Sequence, residues 1–150
     1  MKDLLKTNCF DVPEVMIVVG SCLKAMQPKA YEELEKISSN IYEVCLERDH
    51  LNMVVTKMIG MVARKGIKKL VFATVDKSPH CVQLHYIVKE LENAIDLSEI
   101  EIVDYVAVDN KLIEIPIDVI SLSKNLSKLK DKIEKESGIE TIFIDLPTEL

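Results

Sequence analysis

Three short apolar runs set the frame of this chain: Glu14-Val15-Met16-Ile17-Val18-Val19, Ile41-Tyr42-Glu43-Val44-Cys45-Leu46 and the KLVFATV run Lys69–Val75. Each is rich in β-branched residues and too short to read as a buried helix. Hydrophobicity that is continuous rather than alternating marks strands covered on both faces, as in a parallel sheet.

Helical stretches separate these runs. Pro28 opens the first, through Tyr31, Leu34 and Ile37, with Glu32 and Glu33 near its positive end. Residues 50–65 predict a Met-rich amphipathic helix that Gly66 should stop as a left-handed cap. Ser78 and Pro79 read as the N-cap and first residue of a third helix, running to about Ala94 on a stripe of Leu84, Ile87, Val88 and Leu91. Beyond it, residues 100–108 predict a strand, Asp109-Asn110 a turn, and residues 111–117 the return of a hairpin. A charged helix over 123–137, stopped by Gly138, and a last strand over 141–145 complete the chain, while the first dozen residues read as an irregular arm or short helix.

Strand and helix alternate three times in succession, and crossovers between parallel strands are right-handed. The expected fold class is therefore α/β: a doubly wound three-layer sandwich, mostly parallel, with an antiparallel hairpin at one edge. Residues 1–150 are expected to form one domain.

Composition narrows the function classes. The chain is 48% hydrophobic and 29% charged, which suits a globular protein with a core. No apolar run approaches the roughly 20 residues of a membrane span, and MKDLLKTNCF lacks the features of a signal peptide. A cytoplasmic protein with no membrane partner is expected. The net charge of -6 argues against nucleic-acid binding, which demands a basic face. The basic patch Arg64-Lys65-Lys68-Lys69 and the lysines of 124–132 read as solvated helix faces.

The chemistry-bearing residues then fall in three places. Cys22 follows the first strand in Gly20-Ser21-Cys22, and Cys45 ends the second, followed by Glu47-Arg48-Asp49-His50. Cys81 follows the third in Asp76-Lys77-Ser78-Pro79-His80-Cys81, with His85 four residues on. All three histidines lie in these segments, and Cys9 stands apart. Ligands of open α/β sheets bind beyond the carboxyl ends of the strands, so three loops bring thiols to the edge where such folds carry chemistry. Cys81, as third residue of a capped helix, is expected to be favoured as a thiolate by the helix dipole. On that helix Cys81 and His85 face the same way, a spacing that can chelate one ion.

Simpler readings stand beside these. Cys45 also suits a core filler, His85 a hydrogen-bonded core histidine, His50 a cap or a partner of Asp49, and Met53, Met58 and Met61 plain core. There is no Cys-x-x-Cys, no glycine-rich dinucleotide or phosphate loop, no Gly-x-Ser-x-Gly elbow and no Cys-x5-Arg loop. Hydride transfer and phosphoryl transfer are unsupported.

With the segments around Cys22, Cys45 and Cys81 laid out, residues 14–95 resemble small microbial proteins described as iron–sulfur or ferredoxin-like. Their plan is also similar to the flavodoxin-like domain of nickel–iron hydrogenase small subunits, in which cysteines from strand-end loops hold a four-iron cluster. The paired cysteines of that domain's first loop are not both present, which leaves a fourth ligand to be supplied from elsewhere.

Three functions are thereby expected in competition. The first is a metal or iron–sulfur protein with Cys22, Cys45 and Cys81 as thiolate ligands, and His80, His85 or His50 as the fourth, holding zinc or an iron–sulfur cluster. The second is a thiol or persulfide enzyme or carrier, with Cys81 as nucleophile and His80 or His85 as base. The third is an interaction module in which the cysteines only pack. A redox partner protein or a second copy of the chain is the expected partner.

Overall fold

The computed structural model describes residues 1–136. It divides into two compact units, Met1–Ile115 and Pro116–Leu150. The first unit is built on a six-stranded sheet of order β1-β3-β2-β4-β5-β6. Its strands are β1 (Lys2–Asp3), β2 (Val15–Gly20), β3 (Ile41–Val44), β4 (Lys69–Val75), β5 (Glu101–Val108) and β6 (Lys111–Glu114). All neighbours are parallel except β5 and β6, which form the antiparallel edge. The fold is the mostly parallel α/β sandwich that the pattern implies.

Helices α1 (Leu23–Met26) and α2 (Pro28–Ile37) cover one face of the sheet, and α3 (Leu51–Val62) and α4 (Gln83–Ala94) the other. Alternate strand residues divide between the two cores. Met16, Val18, Leu70 and Phe72 pack under α3 and α4, while Ile17, Val19, Val71 and Ala73 pack under α1 and α2. Because β2 and β4 are buried on both faces, both read as unbroken hydrophobic runs. Met58 and Met61 of α3 are fully buried, each contributing on the order of 2 kcal/mol through lost apolar surface.

Several local expectations are corrected. Gly66 does not terminate α3 in the left-handed region; Lys65 does, at φ 58°. Gly66 instead gives clearance to the N-terminal arm, since a Cβ there would lie 3.3 Å from Val12 Cγ1. The first residues are not merely irregular. Lys2 and Asp3 pair with Tyr42 and Glu43 as an edge strand, and the 3₁₀ turn Leu4–Lys6 buries Leu4 completely. A two-residue strand has no periodicity to detect, and α1, with four residues, is equally invisible.

The hairpin turn behaves as its residues dictate. Asp109 and Asn110 both have positive φ (50° and 58°), the conformation of a type I′ turn. Asn110 also acts beyond the turn. Its Oδ1 accepts the Lys29 N–H at 3.2 Å, capping α2 from across the sheet edge. Its own N–H donates to Gln27 Oε1 at 2.6 Å.

The second unit holds α5 (Ile117–Ser123) and α6 (Leu126–Glu136). The charged helix therefore starts three residues later than expected, where Asn125 Oδ1 accepts the Lys128 N–H at 3.3 Å. The expected stop at Gly138 and the strand over 141–145 lie outside the described residues. Among the described residues no helix is long and apolar enough to cross a membrane.

Candidate thiol site

β2 and β4 are neighbours, yet the chain leaves them towards opposite faces, β2 into α1 and α2, β4 into α4. Such a divergence marks a topological switch point, and ligands of open α/β sheets bind beyond the carboxyl ends of the strands there. Cys22, Cys45 and Cys81 follow β2, β3 and β4 at that edge. The electrostatic influence of both Cys22 and Cys45 reaches Cys81.

Cys81 sits over Gly20, the last residue of β2. A Cβ on Gly20 would lie 3.0 Å from Cys81 Sγ and 3.7 Å from its Cβ, so only glycine leaves the thiol its place. The Cys81 N–H donates to Ser78 Oγ at 3.2 Å, so Ser78 does cap the segment. The regular helix nevertheless begins only at Gln83. Between them Gln83, Leu84 and His85 donate to carbonyls three residues back, the spacing of a 3₁₀ turn. Cys81 is thus not the third residue of α4, and its thiol is not activated as the capped-helix reading expects. Burial pushes it up from the ordinary thiol range; Ser78 opposes this, and nearby Cys22, Cys45 and Glu47 push it further up.

Cys45 has the opposite environment. Its thiol is held below the ordinary range, chiefly by the Ser21 hydroxyl that hydrogen-bonds to it, then by the Glu47 backbone N–H. The Arg48 N–H and guanidinium add to the effect, and partial burial opposes it. The loop that presents these donors is clamped at both ends of one residue. The Cys45 N–H donates to Asp49 Oδ2 at 3.0 Å, while its carbonyl accepts the Arg48 and Asp49 N–H groups at 3.0 and 2.6 Å. Arg48 in turn grips Asp49 through two bonds of 2.9 and 3.0 Å, and reaches Asp3 Oδ2 of the edge strand at 3.7 Å. That pairing holds the Asp49 carboxyl below the usual carboxylate range.

Cys22 is exposed at the head of α1. Cys9 packs near Gly60 of α3, away from the strand ends.

The histidines do not join the thiols. His80 Nδ1 meets Glu47 Oε1 at 2.9 Å on the surface, and exposed His50 precedes α3 without capping it through its side chain. His85 is buried. Its Nδ1 lies 2.7 Å from Asp104 Oδ1 and its Nε2 2.7 Å from Thr74 Oγ1, both partners themselves buried. An ionised Asp104 can only accept, which assigns the Nδ1 proton to the imidazole and leaves a neutral ring's Nε2 to accept from Thr74. With both ring nitrogens engaged, His85 is not presented to an ion beside Cys81. The i, i+4 relation also fails, because Cys81 precedes the regular helix. Among the described residues no three His, Cys, Asp or Glu side chains are grouped to hold a metal ion, so as arranged the donors do not fit zinc or an iron–sulfur cluster.

Sequence reasoning offered Asp49 only as a partner for His50 and assigned no role to Ser21, Thr74 or Asp104. The last two left a signal: each is a polar residue inside an apolar strand, as Thr74 is in KLVFATV and Asp104 in EIVDYVAV. A buried polar side chain must find a partner, and His85, on the apolar stripe of α4, is the partner both share. Ser21 left none, since its contact with Cys45 depends on strand order.

The architecture defines a doubly wound α/β protein, with Cys22, Cys45 and Cys81 beyond the carboxyl ends of its strands. The chain belongs to the Rossmann-like domain family, whose model matches residues 13–143. No curated protein and no solved structure matches the chain.

Proposed function

We propose that this chain is a thiol protein, an enzyme or carrier of thiol or persulfide chemistry, in which Cys45 is the nucleophile. The observation that carries this reading is the set of donors around one sulfur: the Ser21 hydroxyl and the Glu47 and Arg48 backbone N–H groups, with the Arg48 charge nearby. Donors and positive charge stabilise the thiolate, the form that attacks, without a histidine base. The role is thereby transferred from Cys81, whose half-buried thiol stays protonated to higher pH. Attack by Cys45 on a sulfur electrophile would form a new S–S bond and expel the donor's other sulfur as a thiolate.

Single Cys22→Ser, Cys45→Ser and Cys81→Ser variants test this. A fast phase of alkylation near neutral pH should vanish in Cys45→Ser and persist in the other two. A fast phase that survives Cys45→Ser sinks the assignment.

The iron–sulfur or zinc reading keeps one supporting observation, three thiols at one sheet edge with Cys81 feeling the other two. It ranks second because the donors do not converge and no histidine stands among them. Anaerobic purification followed by metal analysis and a visible spectrum tests it, a colourless and metal-free chain counting against it.

A further inference from the structure

Between the N-terminal arm and α3 lies a cavity of about 400 Å³, where Leu5 and Cys9 of the arm face Met53, Thr56, Lys57 and Gly60 of the helix. That volume falls in the range of small-molecule sites, and the wall is mostly apolar with a few polar groups, as in such sites.

Two features of the wall serve neither the backbone nor the core. Gly60 stands inside α3, where glycine is less stable than alanine. No close approach requires it, since a Cβ there would meet Arg64 Nη1 at 3.7 Å and Cys9 Cβ at 4.0 Å, both ordinary contacts. Because Gly60 lines the cavity, its missing side chain leaves that space open. The second feature is Lys57, which is partly buried on the same wall. Its ammonium donates to the Thr7 carbonyl, and among the described residues no carboxylate pairs with it. Removing a charge from water without a counter-charge is unfavourable, and an anion in the cavity would supply one.

The geometry points to a binding site for a small amphipathic carboxylate, its apolar tail over Gly60 between the arm and α3 and its carboxylate at Lys57. A straight-chain acid of medium length suits the space. At about 30 Å³ for each water-sized group the cavity holds roughly thirteen, and octanoate has roughly ten non-hydrogen atoms. A neutral tail of equal length would gain the apolar burial alone, and an amine would bring a second cation to Lys57. The site shares no residue with the strand-end thiols and does not rest on the reading of Cys45.

Titration of the isotope-labelled full chain with octanoate, octanol and octylamine, followed by amide NMR near neutral pH, tests this. Octanoate should shift the amides of Leu5, Cys9, Met53 and Gly60 to saturation. It should bind about fivefold more tightly than octanol, the gain of one partly exposed ion pair, and octylamine should bind most weakly. Lys57→Gln, which can keep the bond to Thr7 without the charge, should bring octanoate down to the level of octanol. Gly60→Leu should fill the cavity and abolish saturable binding of both. Gly60→Ala, whose methyl makes only ordinary contacts, should keep the fold and weaken both, and it decides the matter if Gly60→Leu does not fold. Octanoate shifts that do not saturate or that fall elsewhere, equal affinity for octanoate and octanol, or wild-type affinity in a folded Gly60→Leu chain would each overturn the inference.

Discussion

Ser21 and Cys45 stand side by side where β2 and β3 end, and the Ser21 hydroxyl is the largest influence holding the Cys45 thiol below the ordinary range. The register makes this contact natural. Gly20 pairs with Val44, and the Ser21 N–H still donates to the Val44 carbonyl at 2.9 Å, so the next residue on each strand meets the other. A hydroxyl that donates to sulfur favours the thiolate over the thiol.

Removing that donor should slow Cys45. A hydrogen bond to a charged group contributes about 1.5–3 kcal/mol, which solvent at this half-buried site reduces to about 1 kcal/mol. Ser21→Ala should therefore lower the alkylation rate of Cys45 near neutral pH by about fivefold or less, since a more basic thiolate is also intrinsically more nucleophilic. Ser21→Thr should restore most of it. Rate measurements on the three chains, with circular dichroism as a fold control, decide the matter; equal rates in all three remove Ser21 from the account.

Gly20→Ala tests the clearance beneath Cys81. The new methyl would meet Sγ at 3.0 Å, a clash that costs about 1–3 kcal/mol in a packed site. Adding Cys81→Ala removes the sulfur and leaves a methyl at 3.7 Å, an ordinary contact. Urea midpoints should show the double variant losing less than the sum of the two single losses. Strict additivity would mean that the two residues do not touch.

His85 and Asp104 join α4 to β5 in the core, far from any solvent that could replace a lost partner. His85→Ala and Asp104→Ala should each destabilise the fold by about 3 kcal/mol, because each strands its buried partner. The double variant should again be milder than the sum. Chemical denaturation of the four chains reads this coupling, and losses under about 1 kcal/mol would show the pair to be incidental.

Asp49 sets an acid limit on the Cys45 loop. Its hydrogen bonds from Arg48 hold the folded carboxyl below the unfolded value of about 3.9. The stabilisation is therefore complete above that value and is lost as pH falls through the lower folded value. Asp49→Asn should be less stable than wild type at neutral pH, and the difference should shrink as the wild-type carboxyl is protonated. A gap that stays constant down to the acid transition would count against the pairing.

The frame of the fold was legible because burial on both faces writes itself into β2 and β4 as continuous apolar runs, and because Asp109-Asn110 admits few turns other than the one found. Ser78 was legible as a cap, yet it opens a single turn closed by the Val82 N–H, 3₁₀-type bonds follow, and α4 starts five residues later; a cap signals that a helical turn begins, not that an α-helix follows at once. That displacement reversed the ranking of Cys45 and Cys81, since the expected dipole gave way to burial at one and to Ser21 at the other. The three loops could be found from sequence. Which neighbours they meet depends on strand order, and a single chain does not disclose that β3 lies beside β2 and β4 on its other side.

The central claim is that Cys45, and not Cys81, is the thiolate of the site. Competitive labelling of the reduced chain with iodoacetamide across a pH series, quantified peptide by peptide, measures it directly. Cys45 should reach half-maximal labelling below the ordinary thiol range and Cys81 above it, so that Cys45 is the first of the two to react as pH rises. Cys81 labelling first, or both titrating together, would contradict the account.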